Sequence, residues 1–366
     1  MNIERKIKEI LNQKFSRFST PGHKGTLFSN DISEIRNGKY FPADLIKKAQ
    51  EKASDIFKCK HTRFLTHGAS LGIKASILAV NGDIIVPYNS HRSVLEGATL
   101  AKKKCFSTCR GVHCTSANKL SDKQIEYAML APTTFPTSYV KHYSMATLDD
   151  VSYALEKYPQ AKAVVLTTPD YFGRTLSLDV IKAVKDAGKI LILDSAHGTH
   201  FSFRPDLFPQ AYMEYADFCI FSAHKTLNAY TMSAYLCINN ETLLKKTDDA
   251  LQLLGTTSPF YPFLAQLENA LYYHTENAHK YDELKKLCDD FRKEIKTHHS
   301  DDFSRLVVDM CDFPSYSAWE LYDKLLDNGI VAEAHAIDAI VFIATIFDNK
   351  KNFEHLIKIL KDIRKC

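Results

Sequence analysis

Apolar positions three and four residues apart open the chain: Ile3, Ile7, Ile10 and Leu11 share one face of a helical period. A loop rich in chain breakers follows, Phe18-Ser19-Thr20-Pro21-Gly22-His23-Lys24-Gly25. A second amphipathic stretch is expected near Phe41 to Phe57. From about residue 61 strands alternate with helices. Gly82 to Pro87 reads as a short buried strand, and Ala161 to Thr168 as another. Leu178, Ile181 and Val184 make a helix face that Gly188 closes, and Lys189 to Asp194 returns as a strand. Asp217 to Ser222 and Ala234 to Ile238 follow in the same way. Beyond Ser258-Pro259 the pattern is helical to about residue 298. A strand (Leu306 to Asp309), a helix (Ala318 to Leu326), a strand (Ile340 to Ile346) and a last helix (Phe353 to Ile363) complete it. Such alternation predicts an α/β protein with a mainly parallel sheet covered by helices, and a small C-terminal α/β lobe.

Composition narrows the function classes. A chain of 366 residues is long enough for roughly two domains of about 150 residues. Its 47 basic and 43 acidic residues leave a net charge of +4, which argues against a nucleic-acid partner. Lys102-Lys103-Lys104 reads as a solvated helix end. Nine cysteines without a close C-x-x-C pair read as reduced thiols, and Cys105, Cys109 and Cys114 as packed or idle ones. The N-terminus has no apolar signal core, and the run from Ala339 to Phe347, interrupted by Thr345, is too short to span a bilayer. A cytoplasmic protein without a membrane partner is the expectation. His23, His113 with Cys114, and His298-His299 form no recognised ligand spacing, so no metal is expected.

Polar clusters fall where the predicted strands end, which is where open α/β sheets bind ligands. They are Thr66 to Gly72, Thr168 to Gly173, Asp194 to His200 and Ser222 to Thr226. An acid at one strand end and a lysine 31 residues later at another suit pyridoxal phosphate (PLP). The lysine holds such a cofactor as a Schiff base, and the acid keeps the pyridine nitrogen protonated. Gly68-Ala69-Ser70, opening a helix, can bind a phosphate, with Ser222 and His224 as further donors. His91, after a strand, can cover the cofactor ring. Singly, each residue has a plainer reading: Asp194 as a turn or cap, Lys225 as a solvated cation, the histidines as satisfied surface or core groups.

Together the motifs resemble those of the ornithine/lysine/arginine decarboxylase family of fold-type-I PLP enzymes. Ser19-Thr20-Pro21-Gly22-His23-Lys24-Gly25 is similar to the family's TPGHKG signature. Asp194-Ser195-Ala196-His197-Gly198-Thr199-His200-Phe201, continuing to Arg204-Pro205-Asp206-Leu207, resembles its D-x-AHG-x-HF…PDL stretch. Ser222-Ala223-His224-Lys225-Thr226-Leu227 resembles S-x-HK-T-L, Val86-Pro87-Tyr88-Asn89-Ser90-His91-Arg92-Ser93 resembles VPRN-x-HKS, and Thr256-Thr257-Ser258-Pro259-Phe260-Tyr261 resembles TTSP-x-Y. The matches keep family order between residue 18 and about 261.

The resemblance implies an aspartate aminotransferase-like PLP-binding large domain over residues 61–258. An N-terminal arm (1–60) precedes it, and a helical connection with a small α/β domain (259–366) follows. It implies a decarboxylase of a basic amino acid (ornithine, lysine or arginine) working through an external aldimine and a quinonoid. Lys225 would be the Schiff-base lysine, Asp194 the partner of the pyridine nitrogen, His91 the stacking ring, and His197 a neighbour of the cofactor. Gly68, Ala69, Ser70, Ser222 and His224 would hold the phosphate. Thr257 and Ser258 would reach the phosphate of the neighbouring subunit, which makes a homodimer the minimum assembly. An aminotransferase or other lyase of the same fold, and a non-catalytic PLP-binding homologue, are the alternatives.

Two departures stand out. His67 and Ala69 replace an Asn and a hydroxyl residue of the family's phosphate loop, removing a hydrogen bond worth roughly 1.5–3 kcal/mol. The C-terminal region is short for the family, so the small domain looks reduced. Glu333 follows Gly329-Ile330 in a weak match to a family element and reads as a solvated acid. Arg305 and Arg364, the arginines after residue 299, lie in no loop suited to bind a substrate carboxylate as aminotransferases require.

Overall fold

The computed structural model describes residues 2–13, 20–24, 26, 30–32, 43–87, 89–108 and 145–365. Ser19, Gly25 and Tyr88 of the motifs, and Cys109, His113 and Cys114, lie outside the described residues.

A seven-stranded sheet forms the larger part, in the order β1-β7-β6-β5-β4-β2-β3. Its strands are β1 (His61–Leu65), β2 (Ile84–Val86), β3 (Cys105–Ser107), β4 (Ala163–Thr167), β5 (Ile190–Asp194), β6 (Phe218–Ser222) and β7 (Ala234–Ile238). Strands β3, β2, β4, β5 and β6 run parallel, and β7 is antiparallel to both β6 and β1. The apolar runs lack polar alternation because both faces of the sheet are covered. Ile192 and Ile220 point into one apolar cluster, with Ile73 and Ile77 of α3 (Gly68–Ala79), Val94 of α4 (Arg92–Leu100) and Leu243 of α8 (Glu241–Leu254). Leu191, Leu193, Cys219 and Phe221 point into the other. There they meet Val151 of α5 (Leu148–Lys157) and Val180, Ile181 and Val184 of α6 (Leu178–Asp186). Each Leu or Ile buried this way stabilises the fold by roughly 1.5–3 kcal/mol.

The amphipathic N-terminal stretches become α1 (Asn2–Leu11) and α2 (Ala43–Phe57). Buried Glu268 caps the first: its Oε2 accepts from the backbone N–H of Asn2 (2.9 Å) and Ile3 (2.8 Å). Glu268 lies on α9 (Tyr261–Glu276), which α10 (Lys280–Glu294) follows. Lys103 departs from its solvated reading: it is buried, and its ammonium donates to the Val80 carbonyl.

The C-terminal part is a three-stranded antiparallel sheet, β8-β10-β9, flanked by α11 (Ala318–Asp327) and α12 (Lys350–Arg364). Strands β8 (Arg305–Asp309) and β10 (Ala339–Ile343) match the apolar pattern. Strand β9 (Ala334–Ala336) does not show in it. Its Ala-His-Ala sequence has little strand propensity, and pairing with β10 holds it in place. The small sheet shares the second apolar cluster of the large one, with Leu306, Val308, Ile340 and Phe342 joining Leu191 and Leu193. No helix among the described residues is long and apolar enough to cross a membrane.

Candidate active site

Parallel neighbours β4, β5 and β6 bring their carboxyl ends to one edge of the sheet. Asp194 closes β5 and is buried, and its Oδ1 accepts the Ala196 N–H at 3.2 Å. The backbone turns here: Gly198 N–H returns to the Ser195 carbonyl (2.8 Å), and a 3-10 turn spans Thr199–Phe203. Thr199 Oγ1 ties that turn to β6 by donating to the Ser222 carbonyl at 3.0 Å. Beyond Ser222 the chain makes one short helical turn, α7 (Ala223–Thr226), which presents His224 and Lys225.

Lys225 Nζ lies 2.8 Å from His197 Nε2. Burial drives the Lys225 pKa below that of an ordinary lysine. Asp194 and Glu333 oppose the shift, and Arg305 reinforces it. His197 is held well below the usual histidine range by burial and by the Lys225 and Arg305 cations. Both shifts act toward the uncharged forms.

The remaining expected residues surround this pair. His224 Nδ1 lies 3.4 Å from Ser222 Oγ and 3.3 Å from the Ser233 carbonyl, which anchors the ring beside the lysine. Gly68, Ala69 and Ser70 form the first turn of α3. Gly68 adopts φ +75°, the left-handed region that favours glycine, and donates to the Met232 carbonyl at 2.6 Å. His67 at the N-cap makes no side-chain cap bond, so the positive end of the helix is available to an anion. His91 caps α4, with its Nδ1 2.7 Å from Ser93 Oγ and accepting the Ser93 N–H at 3.2 Å. Partly open to solvent, His91 is within electrostatic reach of the pair. Desolvation lowers its pKa, Asp194 raises it and Lys225 lowers it. Thr257 and Ser258 are exposed in the loop between α8 and α9, and no described contact joins them to Lys225 within one chain.

Sequence reasoning passed over three residues that the structure brings in. Tyr171 packs edge-on against His197, with ring centroids 4.9 Å apart. Its hydroxyl donates to Glu333 Oε1 at 2.6 Å, so Glu333 is exposed but tied to the site rather than merely solvated. Arg305, the first residue of β8, is fully buried and reaches His197 from the small sheet. A charge opening an otherwise apolar strand was the available signal. Arg364 is remote, paired with Asp312 at 3.3 Å.

The donor set fits PLP. A half-buried lysine with a lowered pKa, a buried carboxylate at the adjacent strand end and a helix N-terminus without a side-chain cap match an aldehyde, a pyridine nitrogen and a phosphate. The hydroxyls of Ser90, Thr226 and Ser233 are buried without partners, as expected for polar atoms awaiting a polar ligand.

The family model described as Orn/Lys/Arg decarboxylase, major domain, matches residues 110–350. The chain belongs to this family. Among curated proteins it is similar to the uncharacterized protein YaaO of Bacillus subtilis, 32% identical over 277 residues, covering 70% of this chain and 53% of that one. It is also similar to an arginine decarboxylase of Halalkalibacterium halodurans, 30% identical over 236 residues, covering 63% of this chain and 43% of the relative. The chain spans about half the length of the curated relatives it matches. The Francisella novicida lysine decarboxylase structure superposes with a TM-score of 0.73 at 17% identity, covering 100% of this chain and 60% of that one. The chain thus has the fold of fold-type-I PLP enzymes, as its motifs implied.

Proposed function

We propose that the protein is a PLP-dependent decarboxylase of a basic amino acid, active as a homodimer. The observation that carries this reading is the half-buried Lys225 amine, 2.8 Å from His197 Nε2 and within electrostatic reach of the buried Asp194 carboxylate. PLP bound there supplies an electron sink for the electron pair left on Cα when carbon dioxide departs. Lys225 would contribute the amine that holds the cofactor. Asp194, oriented by the Ala196 N–H, keeps a proton on the pyridine nitrogen. The first turn of α3, with Gly68, Ala69 and Ser70, binds the phosphate, and Ser222 and His224 add donors. His91 covers the ring, and Thr257 and Ser258 serve the neighbouring subunit's site.

A basic substrate needs an acid for its distal cation. Glu333 is exposed, is oriented by Tyr171 and interacts with both Lys225 and His224. We assign it that part. Decarboxylation is favoured over transamination because the chain belongs to the Orn/Lys/Arg decarboxylase family.

The test is the visible spectrum of the purified protein with added PLP, followed by borohydride reduction and peptide mapping. A pyridoxyl group on Lys225, and an amine rather than a keto acid from lysine, ornithine or arginine, is the expected result. A folded dimer that fixes no PLP would reject the proposal.

A further inference from the structure

Arg305 has no exposed surface. Gly173, at φ +79°, closes over it so tightly that a Cβ there would lie 2.6 Å from Arg305 Cγ. One guanidinium nitrogen, Nη2, lies 3.3 Å from His197 Nδ1 and donates to the His197 carbonyl at 3.2 Å. The other ring nitrogen, Nε2, lies 2.8 Å from Lys225 Nζ. A guanidinium carries only donors and does not lose its proton in proteins. Nδ1 can therefore only accept from it. The ring proton then sits on Nε2, and the amine of Lys225 must offer its lone pair.

We propose that Arg305 is a positioning residue that fixes His197 as the Nε2–H tautomer and, through that ring, holds Lys225 as a neutral amine. The reverse arrangement has Lys225 as an ammonium donating to Nε2. It would put the ring proton on Nδ1, against an Arg305 N–H, and two buried donors would face each other without an acceptor.

The surrounding charges are consistent with this. Asp302, also fully buried, lies 3.8 Å from Arg305 Nη1 as a counter-charge beyond hydrogen-bond reach, and its Oδ2 is nearer to His200 Nε2, at 3.1 Å. At Lys225, burial and Arg305 favour the amine, whereas Asp194 and Glu333 favour the ammonium, and the net shift is downward from an ordinary lysine. At His197, burial and the permanent Arg305 cation act against a second ring proton. The consequence for chemistry rests on the reading of Lys225 as the cofactor lysine. The tautomer itself does not.

The experiment uses the full chain labelled with ring-15N histidine and stripped of any cofactor by hydroxylamine and dialysis. Long-range 1H–15N spectra assign His197 by comparison with His197→Asn. Expected are a protonated Nε2 and an accepting Nδ1, unchanged from about pH 6 to 9. In Arg305→Met the fixed tautomer is lost, and the pH midpoint of Lys225 reacting with added PLP, followed by absorbance, rises by about one unit. Arg305→Lys, which keeps a cationic donor, restores most of both. A wild-type ring protonated on Nδ1, or one titrating as an ordinary histidine, overturns the proposal whether or not the variants fold. A folded Arg305→Met with tautomer and midpoint unchanged overturns it as well. Absence of a pyridoxyl group on Lys225 strikes the functional reading alone and leaves the tautomer assignment standing.

Discussion

The seven-stranded sheet and the three-stranded sheet meet at His197, and they reach it by different routes. The large sheet delivers Asp194, His197, Ser222 and Lys225 on or next to the turns that follow buried strands. The small sheet delivers Arg305 from within a strand whose five residues are all buried. Residues after a strand end can change without disturbing the sheet, so function collects there in short polar runs. A charge inside a strand is tolerated only where partners are already built, and those partners lie far away in sequence: His197 is 108 residues from Arg305. The first kind of residue can be read as a motif, the second only as geometry.

Substitutions on the two sides should separate these roles. Lys225→Ala should lower decarboxylation by about 10⁴-fold or more and abolish borohydride-fixed PLP, as measured by turnover and peptide mapping. Asp194→Ala should lower turnover by about 10²–10³-fold while leaving Lys225 able to take up cofactor, and near-normal turnover would remove its assigned role. On the small-sheet side, Asp302→Asn should destabilise the fold by roughly 3–5 kcal/mol in urea unfolding, because it leaves Arg305 buried without a counter-charge.

The pH dependence of that last effect has a definite sign. Burial raises the Asp302 pKa, but His200, Arg305 and the Ser304 hydroxyl outweigh it and bring the value to about 2, below the ordinary 3.8. The carboxylate therefore stabilises the fold fully above about pH 4, and this contribution is lost as pH falls through about 2. Urea midpoints across acid pH should show that loss in the wild type and not in Asp302→Asn.

Smaller effects sharpen the contrast. Glu333→Gln should raise KM for a basic amino acid about five- to tenfold with kcat nearly unchanged, since its charge is partly screened by water. Ser317→Ala removes the side-chain cap of α11, where Ser317 Oγ accepts the Glu320 N–H at 3.2 Å. It should cost about 1 kcal/mol of stability and leave activity untouched.

Much of this arrangement is legible in the sequence. Strands β2, β4, β5, β6, β7, β8 and β10 follow from apolar runs, and the strand-end clusters after them follow from those runs; β1 (His-Thr-Arg-Phe-Leu) and β3 (Cys-Phe-Ser) carry no such run and owe their place to pairing with β7 and β2. Strand β9 escapes because Ala-His-Ala carries no pattern of its own, and its partner β10 supplies the order. The reversed direction of β7 is equally hidden, since an apolar run reads the same in either sense. At the site, Asp194, His197 and Lys225 follow from spacing and resemblance. Glu333 looked solvated because its sequence neighbours say nothing of Tyr171, 162 residues away. Lys103 looked solvated for a similar reason: Val80, whose carbonyl it meets, is 23 residues upstream.

The apolar cluster common to both sheets has a mechanical consequence. Phe208, which follows β5, stacks on Phe303, which precedes β8, with centroids 4.4 Å apart, and His200 meets Asp302 at 3.1 Å in the same seam. Parting the sheets would wet two phenyl rings at roughly 1.5–3 kcal/mol each and would unpair a buried carboxylate. The small sheet is therefore a wall rather than a door.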